Sequence, residues 1–182
     1  MIVSLDYNNE TFKIDTSTIE GKVKLVEITE KQFEEFLIKI GYVMTKTPDK
    51  FQNWDYYNLI NDTKAILVEL KTTTKNQREF PTELINEAKI KAIYNKIEMD
   101  KSKGISTDAY LIYSYFCPNG TKDNYRIFKI DWELMRTFKK QLIFNKSHYL
   151  IPKKSFEEID KIDNYFKDLK TEILTSKNQI IK

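Results

Sequence analysis

The sequence predicts a mixed α/β (α+β) layer architecture with a mixed central sheet flanked by helices. Strand-like and helix-like segments alternate along the chain, Ala65-Ile66-Leu67-Val68 is apolar on both faces as a central strand must be, and stripes at helical spacing lie on either side of it. With 182 residues, 41% hydrophobic and 13% aromatic, the chain can build the core of one domain and lacks the polar bias of a disordered protein. No repeat or linker interrupts it. One continuous domain is expected, with a β extension over 1–28, a core over 29–130, and C-terminal helices with a basic stretch over 131–182.

The extension rests on β-type runs at Ile2-Leu5, Thr11-Ile14 and Val23-Ile28, separated by Asn8-Asn9 and by Gly21. Thr29 with Gln32 forms a capping box, and Phe33, Phe36, Leu37 and Ile40 predict a first helix that Gly41 stops. A short extended piece at Tyr42-Thr45 and a loop over 46–53 lead into a hairpin, Trp54-Ile60 and Ala65-Lys71, around the turn Asn61-Asp62-Thr63. Pro81 is placed to open a helix over Thr82-Asp100. Strands follow at Ala109-Phe116 and Tyr125-Ile130, flanking Pro118-Asn119-Gly120. Asp131 caps a helix over Trp132-Leu142, and Ser155 with Glu158 starts a last helix through Ile159, Ile162, Phe166, Leu169 and Ile173.

Composition excludes several function classes. Four glycines, Gly21, Gly41, Gly104 and Gly120, cannot write a dinucleotide-binding or phosphate-binding glycine loop, so no nucleotide cofactor is expected. One cysteine, Cys117, and one histidine, His148, supply neither a zinc site nor a disulfide framework. No run approaches the roughly 18 apolar residues of a membrane span, and the expectation is a soluble, cytoplasmic protein without a membrane partner. Net charge is only +3, but its distribution is uneven. From Arg136 to Lys154 there are basic residues at Arg136, Lys139, Lys140, Lys146, Lys153 and Lys154, aromatics at Phe138, Phe144 and Tyr149, and no acid. Such a stretch suits a phosphate backbone or forms an ordinary solvated face.

The chemistry centres on Asp55 and on Glu69-Leu70-Lys71. Acid-x-lysine triplets also occur at 20–22, 62–64, 87–89 and 168–170, but only 69–71 ends an apolar strand, where alternate side chains set a Glu and a Lys side by side at the edge of a buried sheet. A three-residue turn centred on Asp62 brings Asp55 opposite Glu69. Two carboxylates and an ammonium at one point are costly as a structural device. A divalent cation resolves the conflict, and oxygen ligands without histidine suit Mg2+ or Mn2+. The reaction class implied is metal-assisted phosphodiester hydrolysis.

These residues, in this element order, resemble the PD-(D/E)xK nuclease superfamily, which includes type II restriction endonucleases, Holliday-junction resolvases and repair nucleases. The resemblance covers Thr29 to about Ile130, and it implies a restriction-endonuclease-like αβββαβ core. By position, Asp55 and Glu69 resemble the metal ligands, the Leu70 carbonyl a backbone ligand, Lys71 the water-positioning lysine, and Glu30 the helix glutamate, with Glu34 second. Trp54 stands where the motif name has Pro. Thr72, Lys75, Asn76 and Gln77 follow as phosphate contacts or as a plain polar loop, and Lys89 is placed to face the site. The expectation is a Mg2+-dependent DNA endonuclease of restriction type, a homodimer holding DNA through Thr72, Lys75, Gln77, Lys139, Lys140 and Lys146. The rivals are a junction resolvase or repair nuclease of the same fold, and a non-catalytic nucleic-acid-binding protein that retains it.

Overall fold

The computed structural model describes residues 2–39, 44–47, 54–73, 81–115 and 125–158. Strands β1 (Ile2–Tyr7) and β2 (Glu10–Asp15) form an antiparallel hairpin, as the first two β-type runs predict. Its turn residues Asn8 and Asn9 both have positive φ, 51° and 63°, the left-handed pair that a two-residue hairpin turn requires and that asparagine tolerates.

Helix α1 (Ile19–Lys39) corrects the sequence reading twice. Val23-Ile28 is helix rather than a third strand, and the helix starts ten residues before Thr29. The cap is Thr18, whose Oγ1 accepts from the Gly21 amide at 3.0 Å. Thr29 sits mid-helix and returns its hydroxyl to the Leu25 carbonyl at 2.8 Å. Val3, Leu5 and Ile14 of the hairpin pack against Leu25 and Ile28, so the run that mimics a strand is the face of α1 that the hairpin covers. Gly21 is no breaker here. A Cβ at that position would stand 1.8 Å from the Asp15 carbonyl oxygen, so only glycine lets the chain turn from β2 into α1 this tightly. Gly21→Ala is therefore expected to lower stability by about 2 kcal/mol, measured as a fall in the thermal midpoint relative to Ser17→Ala.

The central sheet contains β3 (Tyr56–Asn61), β4 (Lys64–Thr73), β6 (Ser106–Tyr115), β7 (Tyr125–Lys129) and the short β10 (Glu157–Glu158), in the order β10-β7-β6-β4-β3. β3 pairs antiparallel with β4, β4 parallel with β6, and β6 antiparallel with β7, so the sheet is mixed. The turn between β3 and β4 has two residues rather than three. An irregularity between Leu59 and Asn61 absorbs the difference, and the pairs from Tyr56↔Val68 to Leu59↔Ala65 keep the register of a turn centred on Asp62. β4 is buried from Ala65 to Leu70. Its even-numbered side chains, Ile66, Val68 and Leu70, meet Phe33 and Leu37 of α1, whereas Leu67 belongs to the opposite face.

On that opposite face lie α2 (Glu87–Ser102) and a three-stranded sheet, β5 (Thr82–Asn86), β9 (Lys146–Pro152) and β8 (Lys140–Ile143). The expected helix from Thr82 instead begins after Asn86, whose side chain accepts from the Ala88 amide. Residues 82–86 are a strand because β9 pairs with them, from Thr82↔Pro152 to Asn86↔His148. Helix α3 (Trp132–Thr137) is shorter than expected, and Lys140 to Leu142 belong to β8. The basic stretch is thus mainly a hairpin, with Phe144 and Asn145 at its turn. Ser155 ends a 3-10 turn and Glu158 pairs with Arg126, so these two residues do not cap a helix. The last helix expected, the 118–120 turn and Cys117 lie outside the described residues.

Asp100, 1% exposed, ties the far end of α2 to both neighbouring strands. It is paired with Lys96 and accepts from Tyr57 Oη at 3.1 Å and Thr107 Oγ1 at 2.8 Å. Each buried polar atom there has a partner, which fixes α2 against the face that carries the site. No helix among the described residues is long and apolar enough to cross a membrane.

Candidate active site on the mixed sheet

Asp55 sits one residue before β3 and is held by its backbone on both sides. Its amide donates to the Val68 carbonyl at 3.0 Å, and its carbonyl accepts from the Thr47 amide at 2.9 Å. The side chain turns toward β4, where Oδ2 accepts from the Leu70 amide at 2.7 Å. That bond sets the carboxylate beside Glu69. Burial pushes the Asp55 carboxyl above its usual range, against the opposing pull of the Leu70 amide.

Glu69 is 2% exposed. It follows Leu67 on the α2 face of β4 and is paired through Oε1 with Lys89, two residues into α2. Its other oxygen, Oε2, is buried and has no hydrogen-bond partner among the described residues. Burial first, and the Asp55 charge second, raise the Glu69 carboxyl from 4.5 to about 7. The two carboxylates are therefore close enough to repel, as the register reading requires.

Lys71, the next residue on that face, is also largely enclosed. Its Nζ donates to the Leu84 carbonyl of β5 at 2.6 Å and lies 5.9 Å from the Tyr113 ring centroid. Burial lowers its pKa, against the favourable charge of Glu69. The strand misread as helix is thus what positions this lysine.

The remaining expected residues are more scattered. Glu30 lies on α1, on the other side of the sheet from Glu69, and pairs with Lys46, although its charge reaches Asp55. Glu34 accepts from Tyr56 Oη at 3.3 Å. Thr72 is on β4 beside Ser114. Lys139, Lys140 and Lys146 are exposed on or next to the β8–β9 hairpin, and Lys140 pairs with Glu87 at 2.8 Å and covers the Tyr149 ring. His148 is on β9, its Nδ1 2.9 Å from the Lys146 carbonyl. Lys75, Asn76 and Gln77 lie outside the described residues.

Lys46 and the Leu84 carbonyl were not foreseen. Lys89 had a signal, because Asn86-Glu87 reads as a helix start and a lysine in a first helical turn opposes the macrodipole. Glu69 offsets that cost. Lys89→Met is expected to destabilise the metal-free protein by roughly 1 kcal/mol at pH 8, since it leaves a buried carboxylate without its partner. The effect should vanish at pH 5, where Glu69 is protonated; urea unfolding in EDTA at the two pH values reads the difference.

No cluster of three or more His, Cys, Asp or Glu side chains suited to a metal occurs among the described residues. What this face of the sheet offers is two convergent carboxylates, one with an orphaned buried oxygen, and the backbone of Leu70 between Glu69 and Lys71. A donor set of one or two carboxylates fits a hard divalent cation that keeps several of its waters.

Solved structures similar to this chain include the following two. One is Hjc, a Holliday junction resolvase from Archaeoglobus fulgidus, at 12% identity and a TM-score of 0.48, covering 74% of this chain and 92% of that one. The other is D212, a nuclease from a fusselovirus, at 12% identity and a TM-score of 0.45, covering 90% and 98%. No protein-family model and no curated protein matches the sequence.

Proposed function

We propose that this protein is a metal-dependent endonuclease that hydrolyses DNA phosphodiester bonds, with its active site at Asp55, Glu69 and Lys71. The observation that carries the reading is the buried Glu69 Oε2, without a hydrogen-bond partner among the described residues, beside a second carboxylate. Asp55, Glu69 and the Leu70 carbonyl would hold Mg2+ or Mn2+, and Glu30 would add its charge on the Asp55 side. Such a cation, when bound, supplies Lewis acidity toward a phosphate oxygen and acidifies water.

The chain's own groups do the rest. The Leu70 amide fixes the Asp55 carboxylate, and Lys89 fixes Glu69. Lys71, anchored by the Leu84 carbonyl, presents a partly desolvated amine that orients water and takes up a proton at Nζ. Thr72, Lys75, Gln77 and the lysines of the β8–β9 hairpin would hold the phosphate backbone, which positions DNA without reading its sequence. Cutting both strands in the manner of a restriction enzyme needs two such sites, so that substrate choice carries a homodimer with it.

The test is incubation with supercoiled plasmid and with a four-way junction, in Mg2+ and in EDTA. Metal-dependent cutting that Asp55→Ala and Lys71→Ala abolish is expected, and the preferred substrate separates duplex cutting from cutting at a branch. Binding without cutting would leave a non-catalytic DNA-binding protein.

A further inference from the structure

The tip of the β8–β9 hairpin presents an aromatic ring to water at the cost of backbone strain. Phe144 is 96% exposed. Its φ is +47° and that of Asn145 is +60°, so it occupies the first position of a turn in which both central residues are left-handed. That position favours Asn, Asp or Gly, and a β-carbon bearing a phenyl ring is disfavoured there. The hairpin at the other end of the chain makes the same turn with two asparagines. Leu142, two residues earlier on β8, is 70% exposed, and Lys146 opens β9 two residues after the ring, while Lys139 and Lys140 lie at the base of the hairpin, where Lys140 is paired with Glu87.

The hairpin that carries this tip is anchored at its base. Tyr149 and Ile151 of β9 are buried, and β9 pairs along the whole of β5. β5 in turn supplies the Leu84 carbonyl that anchors Lys71. Leu84 pairs with Leu150, six residues along the chain from Phe144, so the ring stands about 20 Å from the active-site lysine at 3.3 Å per residue. That span corresponds to roughly six stacked nucleotides at 3.4 Å each.

We propose that Phe144 is a wedge that stacks on an unpaired or unstacked base of the DNA, making branched or locally opened DNA the substrate class of the site at Asp55, Glu69 and Lys71. The proposal rests on the nuclease reading for what the site does, but binding tests it separately. An exposed ring at the tip of a hairpin drawn from a basic stretch fits a nucleic acid, in which apolar wedges enter base steps while lysines hold the flanking phosphates. A second copy of this chain is the poorer occupant, because the stretch from Arg136 to Lys154 contains no acid and two such tips would bring like charges together.

The experiment compares wild type, Phe144→Gly and Phe144→Trp for binding, in EDTA, to a four-way junction and to a duplex of the same length, with cutting in Mg2+ and thermal midpoints alongside. Wild type is expected to prefer the junction, Phe144→Gly to reduce that preference about tenfold, and Phe144→Trp to restore it. The midpoint of Phe144→Gly should equal or exceed that of wild type, since glycine relieves the turn. A 2-aminopurine near the branch, about six nucleotides from the cut, should change fluorescence with wild type and Phe144→Trp only. An unchanged junction-to-duplex ratio in Phe144→Gly overturns the wedge, as does a wild type with no junction preference. Loss of a dimer in sedimentation with the ratio unaltered would assign the ring to contact between copies instead. Selective binding by wild type without cutting would refute the nuclease reading and leave the wedge standing.

Discussion

Glu69→Gln and Asp55→Asn are expected to abolish metal-dependent cutting while making the metal-free protein more stable at neutral pH. Removing one carboxylate charge from the cation's ligands takes away several kcal/mol of transition-state stabilisation, about a thousandfold in rate or more. The stability change has the opposite sign because Glu69 is buried, Asp55 is half-buried, and the two repel each other. For Glu69 the folded-state value near 7 lies above the usual 4.5. The folded protein therefore binds this proton more tightly than the unfolded chain, and stability falls as pH rises from about 4.5 to about 7. Above that window the charged carboxylate costs the fold up to about 3 kcal/mol.

Glutamine carries no charge to penalise, so Glu69→Gln should unfold at higher urea concentration than wild type at pH 8 in EDTA, and at the same concentration at pH 4.5. Added Mg2+ should raise the wild-type midpoint at pH 8, as any ligand of the folded state does, and leave Glu69→Gln where it was. A wild-type midpoint that Mg2+ does not move, together with a pH profile that the variant shares, would remove the cation from this site.

The part of this arrangement that the sequence shows is the part built by local rules. The turn residues Asn61 to Thr63, the alternation along β4 and its two-sided apolar run bring Asp55 and Glu69 together without reference to distant segments. The errors fall where a distant partner decides. Residues 82–86 are rich in helix-compatible side chains, and only the pairing with β9, more than sixty residues later, holds them as a strand. That is why the Leu84 anchor for Lys71 was invisible. Val23 to Ile28 is a short run rich in β-branched residues, yet the hairpin before it covers one side of a helix whose cap, Thr18, lies outside the capping box at Thr29 and Gln32. Gly21 misled for a different reason, because a close approach to the Asp15 carbonyl demands glycine in a helical turn. The β8–β9 hairpin lacks an Asn-Gly signal, since its turn places Phe144 where the backbone alone would select asparagine.

Lys71→Met is expected to cost about a hundredfold to ten-thousandfold in rate with little loss of DNA affinity, the range for removing a group that transfers a proton in the transition state. Methionine keeps the aliphatic stem that packs toward Tyr113 and removes the Nζ that donates to Leu84. The fold should survive, because the substitution deletes a desolvated charge and leaves one carbonyl short of a donor. Lys71→Arg separates the roles of charge and proton. A guanidinium keeps the positive charge but does not release a proton near neutrality, and its planar fork does not fit the single-donor contact with the Leu84 carbonyl. If the lysine acted only as a fixed charge, arginine would retain most of the rate. Burial lowers the pKa of Lys71, which favours loss of its proton before the reaction and proton uptake at Nζ during it, and on that reading Lys71→Arg should be nearly as slow as Lys71→Met. Small primary amines should then restore part of the activity of Lys71→Ala in proportion to their free-base concentration. Full activity in Lys71→Arg, or no response to amines, would return the lysine to a purely electrostatic part.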